Sequence, residues 1–485
     1  MRKFLYLTLL LVPVIGLFLY SSGKKIEMPT LLNLPLTPSP TPEPKISWLK
    51  TQGRNIVDEN GNVVVLRGVN LSSLKWEKKE WHTKALEYVV KNWQANVIRT
   101  RINEADYYKN KRTYLKELDE LIINPAGKLG IYVILQAEFD SSTVLAQPRE
   151  ISMWQEVASR YQNNPIIILD PLAEPRNVSE TALRENYIQL IKSIRKIRPR
   201  GLIIVSGTGW GRAINFWLEN PLSYPDIVYR SNAYNKKGEF EGLFGRIAQV
   251  YPVFIGEFGA EGFPYMSLED TQALLDYADF LQLGWTAWNF HNEGCPCLLK
   301  EIKSFTPTNY GQLVKDALLK AEANRKNFVL LPQISLAAVP HNELTIYEEG
   351  LQNGFVDYSW DTETKLLNTY PVYEGKYSLA FKFENEYSAL FISRVESFKP
   401  EKFKSLSFCL SGNIPDIELQ VWGKNEERLE KISLKNLRKL IKKNWSCYSH
   451  DLSKLSEKEI AGFVFQNYSG ASSSQLFLDN MSLSK

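Results

Sequence analysis

Apolar residues follow two different periods along the first two thirds of the chain. Between residues 46 and 320, short apolar segments rich in Ile and Val are separated by segments whose apolar positions recur every three or four residues. The first pattern is typical of strands buried on both faces, and the second of amphipathic helices. In 187–197, for example, one helical face carries Tyr187, Ile188, Ile191, Ile194 and Ile197. Strands are expected at 63–69, 95–102, 131–137, 165–171, 202–207, 227–233, 253–259 and 285–290.

Eight alternations of strand and helix predict an α/β fold, a (β/α)₈ TIM barrel spanning 46–325. A doubly wound parallel sheet is the structural alternative. That fold would need a phosphate-cradling glycine loop when it binds nucleotides, and Gly207-Thr208-Gly209 lacks the third glycine. The barrel is therefore the preferred interpretation.

The pattern changes after residue 325. Helical periodicity largely disappears, and short alternating segments predict an all-β, jelly-roll-like sandwich over 326–485. The basic segment 434–443 departs from this pattern, and we interpret it as an insertion that could be helical. The clearest alternating segments are 377–383, 406–410, 417–421 and 476–483.

The N-terminal segment predicts export. Residues 1–24 combine Arg2 and Lys3 with an apolar run from Phe4 to Tyr20 and small residues beyond it, which fits either a cleaved signal peptide or a membrane anchor. Residues 25–45 are rich in Pro and Thr and predict a stiff linker. We therefore expect an extracellular or cell-surface protein, either secreted or anchored by this segment.

Composition narrows the classes of partner. A net charge of +4 on 485 residues gives no concentrated basic face, which argues against nucleic acid. Aromatic residues reach 12%, which fits either stacking on sugars or large aromatic cores. The four histidines are scattered and the four cysteines form no zinc motif, so neither a metal site nor a cofactor is expected. Cys409 and Cys447 are expected to pair if the chain is oxidised outside the cell, and free buried thiols are the alternative.

Two glutamates follow predicted barrel strands. Glu174 comes after the fourth strand, and Glu257 ends the seventh. Catalytic residues of TIM barrels lie at the carboxyl ends of strands, and retaining glycoside cleavage needs two carboxylates on one sugar. Either glutamate alone could be an ordinary salt-bridged loop residue. Together, at the fourth and seventh of eight strands, they predict a pair of catalytic groups about 5 Å apart.

The barrel segment resembles the clan A glycoside hydrolases, and family 5, the cellulase family, in particular. The resemblance covers almost the whole barrel. Its matching segments are 55–70 at the first strand, Arg99 in 96–99, the helix at 154–161, Glu174-Pro175, Tyr234, Gly256-Glu257-Phe258-Gly259 and Trp288. The resemblance implies that Glu174 is the acid/base and Glu257 the nucleophile.

Supporting roles also come from the resemblance. It implies that Arg99 and Tyr234 contact the nucleophile and that Trp288 floors the sugar subsite. Three positions depart from the family pattern. Ala173 replaces an asparagine that binds the sugar 2-hydroxyl, and Glu138 and Asn232 stand where the family has histidines. Glu138 either makes a new polar contact or pairs with Arg101.

The sandwich resembles a jelly-roll carbohydrate-binding module, with Trp360, Trp422 and Tyr387 as candidates for stacking or for the core. These observations lead to a hypothesis: an exported, monomeric, retaining glycoside hydrolase that cleaves a β-linked polysaccharide or oligosaccharide. The alternative is a catalytically impaired barrel that binds glycans at the cell surface, and other barrel chemistry is a third reading.

Overall fold

The first half of the described chain forms a closed barrel of eight parallel strands. The computed structural model describes residues 46–77, 79–139, 144–261, 266–333, 343–400, 403–442, 444–471 and 474–485. A hairpin precedes the barrel, formed by β1 (Lys50–Gln52) and β2 (Asn55–Val57). The barrel strands are β3 (Arg67–Asn70), β4 (Val97–Asn103), β5 (Tyr132–Glu138), β6 (Ile167–Asp170), β7 (Ile203–Ser206), β8 (Ile227–Asn232), β9 (Val253–Glu257) and β10 (Gly284–Ala287).

All eight strands run in sequence order around the barrel, and β10 closes it by pairing with β3. The prediction of a TIM barrel is thereby confirmed. The α-helices between and after these strands are α1 (Lys79–Trp93), α2 (Glu104–Lys109), α3 (Lys111–Leu118), α4 (Asn124–Leu129), α5 (Pro148–Arg160), α6 (Glu180–Arg195), α7 (Arg246–Ala248), α8 (Leu268–Phe280) and α9 (Asn309–Ala323). Most of the predicted helical face in 187–197 lies in α6, which buries Tyr187, Ile191 and Ile194, whereas Ile197 lies beyond the end of the helix at Arg195.

Inward-pointing side chains change character along the barrel. At the amino ends of the strands they are apolar and include Val97, Ile168 and Phe254. Leu49, just before β1, and Ile56, on β2, pack against them. Because side chains alternate along a strand, the next inward positions are two residues further on. On β4, β6 and β8 these positions hold charged residues: Arg99, Asp170 and Arg230, all fully buried. The carboxyl end of the barrel interior is therefore built from ionic groups.

The second half of the described chain is a sandwich of two antiparallel sheets, as predicted. Its strands are β13 (Glu343–Tyr347), β14 (Phe355–Asp357), β15 (Thr362–Asn368), β16 (Ser378–Phe383), β17 (Ala389–Phe398), β18 (Ser405–Ser411), β19 (Ile417–Gly423), β20 (Arg428–Ser433), β21 (Arg438–Lys442), β22 (Trp445–Asp451), β23 (Ile460–Asn467) and β24 (Leu476–Ser484), and a short hairpin of β11 (Leu299–Glu301) and β12 (Thr306–Pro307) precedes them. The smaller sheet has the order β14-β17-β23-β19-β20, and the larger one runs β15-β16-β24-β18-β22-β21, with β13 also on β24.

The helical interpretation of 434–443 is wrong. A single 3₁₀ turn covers Leu434–Asn436, and Arg438–Lys442 forms strand β21 at the edge of the larger sheet, paired with β22. All five residues of β21 are exposed. Basic side chains on an edge strand discourage pairing with other chains, so the charge that suggested an insertion fits an edge strand equally well.

All four cysteines are paired. Cys409 on β18 lies directly opposite Cys447 on β22, and the two form the predicted disulfide. Cys295 and Cys297 form a second disulfide across one intervening residue, which the sequence analysis did not predict. This second bridge lies in the segment that follows β10, at the carboxyl end of the barrel.

The barrel and the sandwich share apolar packing. Val356 on β14 belongs to the hydrophobic core of the barrel rather than to that of the sandwich. The backbone N–H of Leu351 donates to the carbonyl of Gly238, and that of Gly354 donates to Gly242. Gly238 has φ +98°, and a Cβ there would lie 2.9 Å from Leu366 Cβ, so only glycine suits this contact.

A polar cluster reinforces this junction. Lys236 Nζ, on the segment after β8, donates to Asp357 Oδ2 at 2.8 Å, and the Asp357 carboxylate also accepts from Thr364. The buried Glu239 accepts from the Asp357 backbone N–H at 2.9 Å. The two domains therefore meet through a desolvated ionic cluster as well as apolar contact.

The N-terminal predictions lie outside the described residues. These are the signal peptide or anchor at 1–24 and the linker at 25–45. Within the described part of the chain, no helix is both long enough and apolar enough to cross a bilayer. The predicted domain limit at 325/326 stays a prediction; α9 ends at Ala323 and β13 begins at Glu343.

Candidate active site

Glu257 lies at the carboxyl end of β9 with its side chain almost fully buried. The pairing of β9 with β8 shifts register between Ser231 and Asn232, so that Asn232 lies opposite Glu257. The preceding Gly256 leaves room for a neighbouring side chain, since a Cβ there would lie 2.4 Å from Arg230 Cδ. The Gly-Glu order in the sequence therefore allows the carboxylate and an arginine to share the barrel mouth.

Two arginines from β4 hold the Glu257 carboxylate. Arg99 Nη1 donates to Oε1 at 2.8 Å, and Arg101 Nη2 donates to the same oxygen at 3.3 Å. Tyr234 donates its hydroxyl to Oε2 at 3.3 Å. Burial alone would raise the pKa of Glu257, but the Arg99 and Arg101 guanidiniums outweigh it and hold that pKa well below its usual range. The expected contacts of Arg99 and Tyr234 are present.

The pKa of Glu174 is shifted in the opposite direction from that of Glu257. It follows β6, is half-buried, and accepts from Asn232 Nδ2 at 3.2 Å. Burial, followed by the negative charge of Glu257, raises the pKa of Glu174. One pocket thus holds one carboxyl group that favours its protonated form and another that favours its ionised form.

Asp170 anchors the arginines beneath the two glutamates. Its Oδ2 lies 3.1 Å from Arg99 Nε and 3.0 Å from Arg230 Nε, and all three side chains are fully buried. Arg230 also donates to the Asn232 side chain and to the backbone carbonyl of Ala173. Arg230 therefore links the ionic network to the residue beside Glu174.

Each of the three positions that depart from the family pattern makes a contact within this polar network. Ala173 offers only its carbonyl, which Arg230 occupies. Asn232 joins Arg230 to Glu174 through its amide. Glu138 lies 3.9 Å from Arg101 Nη1 and accepts from Asn103 at 3.2 Å, so both readings of this residue hold in part.

Trp288 lies beside the same charges. Its indole N–H donates to the Gly294 carbonyl at 2.8 Å, in the loop that carries the Cys295–Cys297 disulfide. The Arg101 guanidinium carbon lies 4.3 Å from the Trp288 ring centroid, which is cation–π distance. A guanidinium therefore covers one face of the ring expected to floor a sugar subsite.

The sequence analysis missed several residues of this pocket. Asp170, Arg230 and the 54% exposed Trp210 were not singled out, and Arg101 was named only as a possible partner of Glu138. The Trp210 backbone N–H donates to the carbonyl of Pro175, and its own carbonyl accepts from Asn232. The sequence did contain a signal for three of them. A charged residue inside a strand buried on both faces needs a partner, and Asp170, Arg101 and Arg230 are such residues.

No group of three or more His, Cys, Asp and Glu side chains placed to hold a metal ion occurs among the described residues. Arginines instead balance the negative charge of the carboxylates in this pocket. The pocket brings together two carboxyl groups and the guanidiniums, amide and phenol that surround them.

A closed (β/α)₈ barrel with two glutamates of opposed pKa at the carboxyl ends of its fourth and seventh strands has the architecture of a glycoside hydrolase domain. Residues 57–294 match the family model described as Cellulase (glycosyl hydrolase family 5), and 346–484 match that of the Expansin-like protein C-terminal domain. The barrel belongs to glycosyl hydrolase family 5, and an expansin-like domain follows it.

Curated relatives match over the barrel. Endoglucanase E-5 of Thermobifida fusca is 26% identical over 282 residues, which is 53% of this chain and 60% of that relative. An endoglucanase of Clostridium saccharobutylicum is 26% identical over 256 residues, 50% of this chain and 56% of that relative. The chain thus spans less than two thirds of the length of either relative.

Solved structures agree in fold. A β-glucanase from Saccharophagus degradans, crystallised with cellotetraose, superposes with a TM-score of 0.53 at 22% identity, over 57% of this chain and 94% of that one. The catalytic domain of the Thermobifida fusca endoglucanase gives a TM-score of 0.51 at 22% identity, over 56% and 97%. These likenesses support the barrel fold.

Proposed function

We propose that this protein is an exported retaining glycoside hydrolase that cleaves a β-linked polysaccharide or oligosaccharide. Glu257 is the nucleophile that attacks the anomeric carbon, and Glu174 is the acid that protonates the leaving oxygen and then the base that activates water. The observation that carries the proposal is the opposed pKa shift of two glutamates within one pocket. Membership of the barrel in family 5 and its endoglucanase relatives support a β-glycan as substrate.

The surrounding residues suit these roles. Arg99 and Tyr234 bond to opposite oxygens of Glu257, which fixes the carboxylate for in-line attack. Asn232, at the end of β8, orients Glu174, which follows β6. Because the pKa of Glu257 is lowered and that of Glu174 is raised, the pocket favours the pair of protonation states with which a retaining reaction begins.

A second function has a specific observation in its favour. Arg101 lies over Trp288, and Ala173 offers no side-chain amide to a sugar. A barrel whose stacking ring is covered could bind glycans at the cell surface without cleaving them. This alternative shares the fold and the family with the preferred one, so catalysis itself has to be measured.

A panel of β-linked substrates separates the two functions. We expect the full chain to release reducing ends from at least one of β-1,4-glucan, mixed-linkage β-glucan, glucomannan or xylan. Proton NMR of the first product should show a β-anomer before mutarotation, because two displacements retain configuration. An α-anomer would contradict the retaining mechanism, and inactivity on the entire panel would favour the binding protein.

The pH dependence of kcat/KM should be bell-shaped with a broad maximum. The active form needs Glu257 ionised and Glu174 protonated. The low pKa of Glu257 keeps it ionised as the pH falls, so activity is lost only well below the ordinary carboxyl range of about 4.3. The raised pKa of Glu174 keeps its proton above that range, and activity falls once it ionises.

The variant Glu174→Gln assigns the alkaline limb. With an aryl glycoside whose leaving group needs no proton, this variant should retain glycosylation but lose the alkaline limb. An unchanged alkaline limb in Glu174→Gln would assign that titration to another group and would contradict the acid role.

A further inference from the structure

The Cys295–Cys297 disulfide closes a very short loop at the carboxyl end of the barrel. Pro296 alone separates the two cysteines, in the segment that follows β10. Cys295 is exposed, whereas Cys297 is buried. A bridge between residues so close in sequence removes little entropy from the unfolded chain, so it stabilises the fold less than a long-range bridge does. The contacts made by residues 294–297, here called the bridged loop, indicate a local role instead.

The bridged loop holds the Trp288 ring. The Gly294 carbonyl, next to Cys295, accepts from the Trp288 indole N–H at 2.8 Å and from Asn289 Nδ2 at 2.8 Å. Trp288 is only half-buried, so packing in the core fixes its ring only in part. The bond to Gly294 at the edge of the ring and the Arg101 guanidinium at 4.3 Å from its centroid therefore orient the indole.

Pro296, inside the bridged loop, packs against the segment that follows Glu257. A Cβ on Gly259, two residues beyond Glu257, would lie 2.5 Å from Pro296 Cβ, so the proline ring lies directly on this glycine. The Asn289 backbone N–H donates to the Pro296 carbonyl at 2.8 Å, and the Leu298 N–H donates to the Asn289 carbonyl at 3.0 Å. The residue enclosed by the disulfide thus joins the segment after β9 to the segment after β10.

We propose that the Cys295–Cys297 bridge is a positioning element for the Trp288 ring, and that its reduction by a dithiol loosens the hold of the barrel pocket on a sugar. The bridge fixes the Gly294 carbonyl, and this carbonyl fixes the edge of the indole. Opening of the bridge frees Gly294 to move, so the ring loses its defined orientation. The effect on a sugar rests on the proposed function, whereas the hold on Trp288 does not.

Opening of the bridge proceeds by thiol–disulfide exchange. The thiolate of a dithiol attacks the sulfur of the exposed Cys295, forms a mixed disulfide and releases the Cys297 thiolate, which takes up a proton. The second thiol of the reductant then displaces Cys295. The reductant leaves as a cyclic disulfide, and the protein has gained two electrons and two protons. Because the two thiols stay one residue apart, an oxidant can close the bridge again.

The Cys409–Cys447 disulfide serves as an internal control for this reaction. It joins opposite positions of β18 and β22, which pair along their whole length. Cys409 is 5% exposed and Cys447 is half-buried, so neither is as accessible as Cys295. Exposed disulfides are the labile ones, so mild reduction of the native protein should open the Cys295–Cys297 bridge first. Alkylation followed by peptide mass spectrometry shows which bridge is open.

Nuclear magnetic resonance of the full chain with isotope-labelled tryptophan tests the hold on the ring without any substrate. Dithiothreitol should shift the indole N–H resonance of Trp288, which is identified by its absence in Trp288→Phe, toward the position of an indole bonded to water. The Trp360 indole donates to the Tyr387 carbonyl in the sandwich, so its resonance should not move. Reoxidation should return the Trp288 resonance to its first position.

Kinetics on the best substrate of the β-glycan panel test the effect on a sugar. Reduction should raise KM on the order of tenfold, as loss of a central aromatic contact does, with kcat nearly unchanged. The double variant Cys295→Ser/Cys297→Ser should show the raised KM permanently and no response to dithiothreitol. Trp288→Phe has no indole N–H to donate to Gly294, so it should lose the response as well. Cys409→Ser/Cys447→Ser is the matched control and should keep the response.

Three results would overturn the proposal. One is a Trp288 resonance that stays in place when the bridge is open. The second is a Cys295–Cys297 bridge that resists reduction until Cys409–Cys447 has opened. The third is an equal KM with the bridge open and closed. Inactivity of the oxidised chain on the whole panel would instead remove the proposed function, and the effect on a sugar with it, while the Trp288 resonance would still decide the hold on the ring.

Discussion

Replacement of Glu257 by glutamine should abolish hydrolysis, with a loss of kcat on the order of 10⁴-fold. Glutamine keeps the shape of the side chain and one acceptor oxygen for Arg99, but it is a very poor nucleophile. In the proposed mechanism the carboxylate attacks carbon, and we expect no neighbouring residue to substitute for it. Initial rates on the best substrate of the panel measure the effect. A variant that keeps a tenth of the activity would exclude Glu257 as nucleophile.

Chemical rescue separates a lost nucleophile from a disturbed pocket. Glu257→Ala leaves a cavity lined by Arg99 and Arg101, which formate can enter as an external carboxylate. Formate should restore measurable turnover of an activated aryl glycoside in Glu257→Ala. The matched control is Glu87→Gln on α1, a solvent-exposed glutamate paired only with Lys91, which should show full activity and no formate dependence.

Replacement of Asp170 by alanine should destabilise the barrel by about 3–5 kcal/mol, because it removes the carboxylate that two buried guanidiniums share. Arg99 and Arg230 both form ion pairs with Asp170 Oδ2, and all three side chains are inaccessible to solvent. Arg99 would keep Glu257 as a partner, but Arg230 would keep only amide and carbonyl acceptors. Urea unfolding followed by tryptophan fluorescence measures the loss.

Asp276→Ala is the control for that measurement. Asp276 is exposed on α8 and accepts only from Gln272 one turn away, so its removal should change the free energy of unfolding by less than about 0.5 kcal/mol. Asp170→Asn, which keeps an acceptor but loses the charge, should fall between the two. A loss below about 1 kcal/mol in Asp170→Ala would mean that water reaches the arginines.

The framework of the barrel was readable from sequence because its signal is local. Strands buried on both faces are mainly apolar, so all eight were predicted in order, with ends within a few residues of those observed. Glu174 and Glu257 were predicted as a catalytic pair because TIM barrels place functional groups at strand ends, and that role stays a prediction. The sandwich was recognised from alternation, which likewise spans only a few residues.

The ionic network was missed because it is not local. Asp170, Arg101 and Arg230 come from three different strands, and only closure of the barrel brings them together. The same holds for β21, whose strand conformation depends on pairing with β22 rather than on its own helical spacing of Leu437, Leu440 and Ile441. For Cys295 and Cys297 the sequence analysis considered only a zinc site, whereas in the structure the two cysteines form a disulfide with each other.

The junction between the domains restricts how this architecture can be recombined. Glu239 accepts from Asn235, from the backbone of Lys236 and from the backbone of Asp357, so one carboxylate serves both sides of the boundary. A barrel joined to a different C-terminal domain would keep Lys236 and Glu239 but would lose their partner Asp357. It would also lose Val356, which packs in the core of the barrel. We therefore expect a barrel joined to a different C-terminal domain to be less stable than the barrel in this chain. In evolution, we expect a substitution at Lys236 to be retained only together with a compensating one at Asp357. The barrel and the sandwich should then evolve together as a single unit.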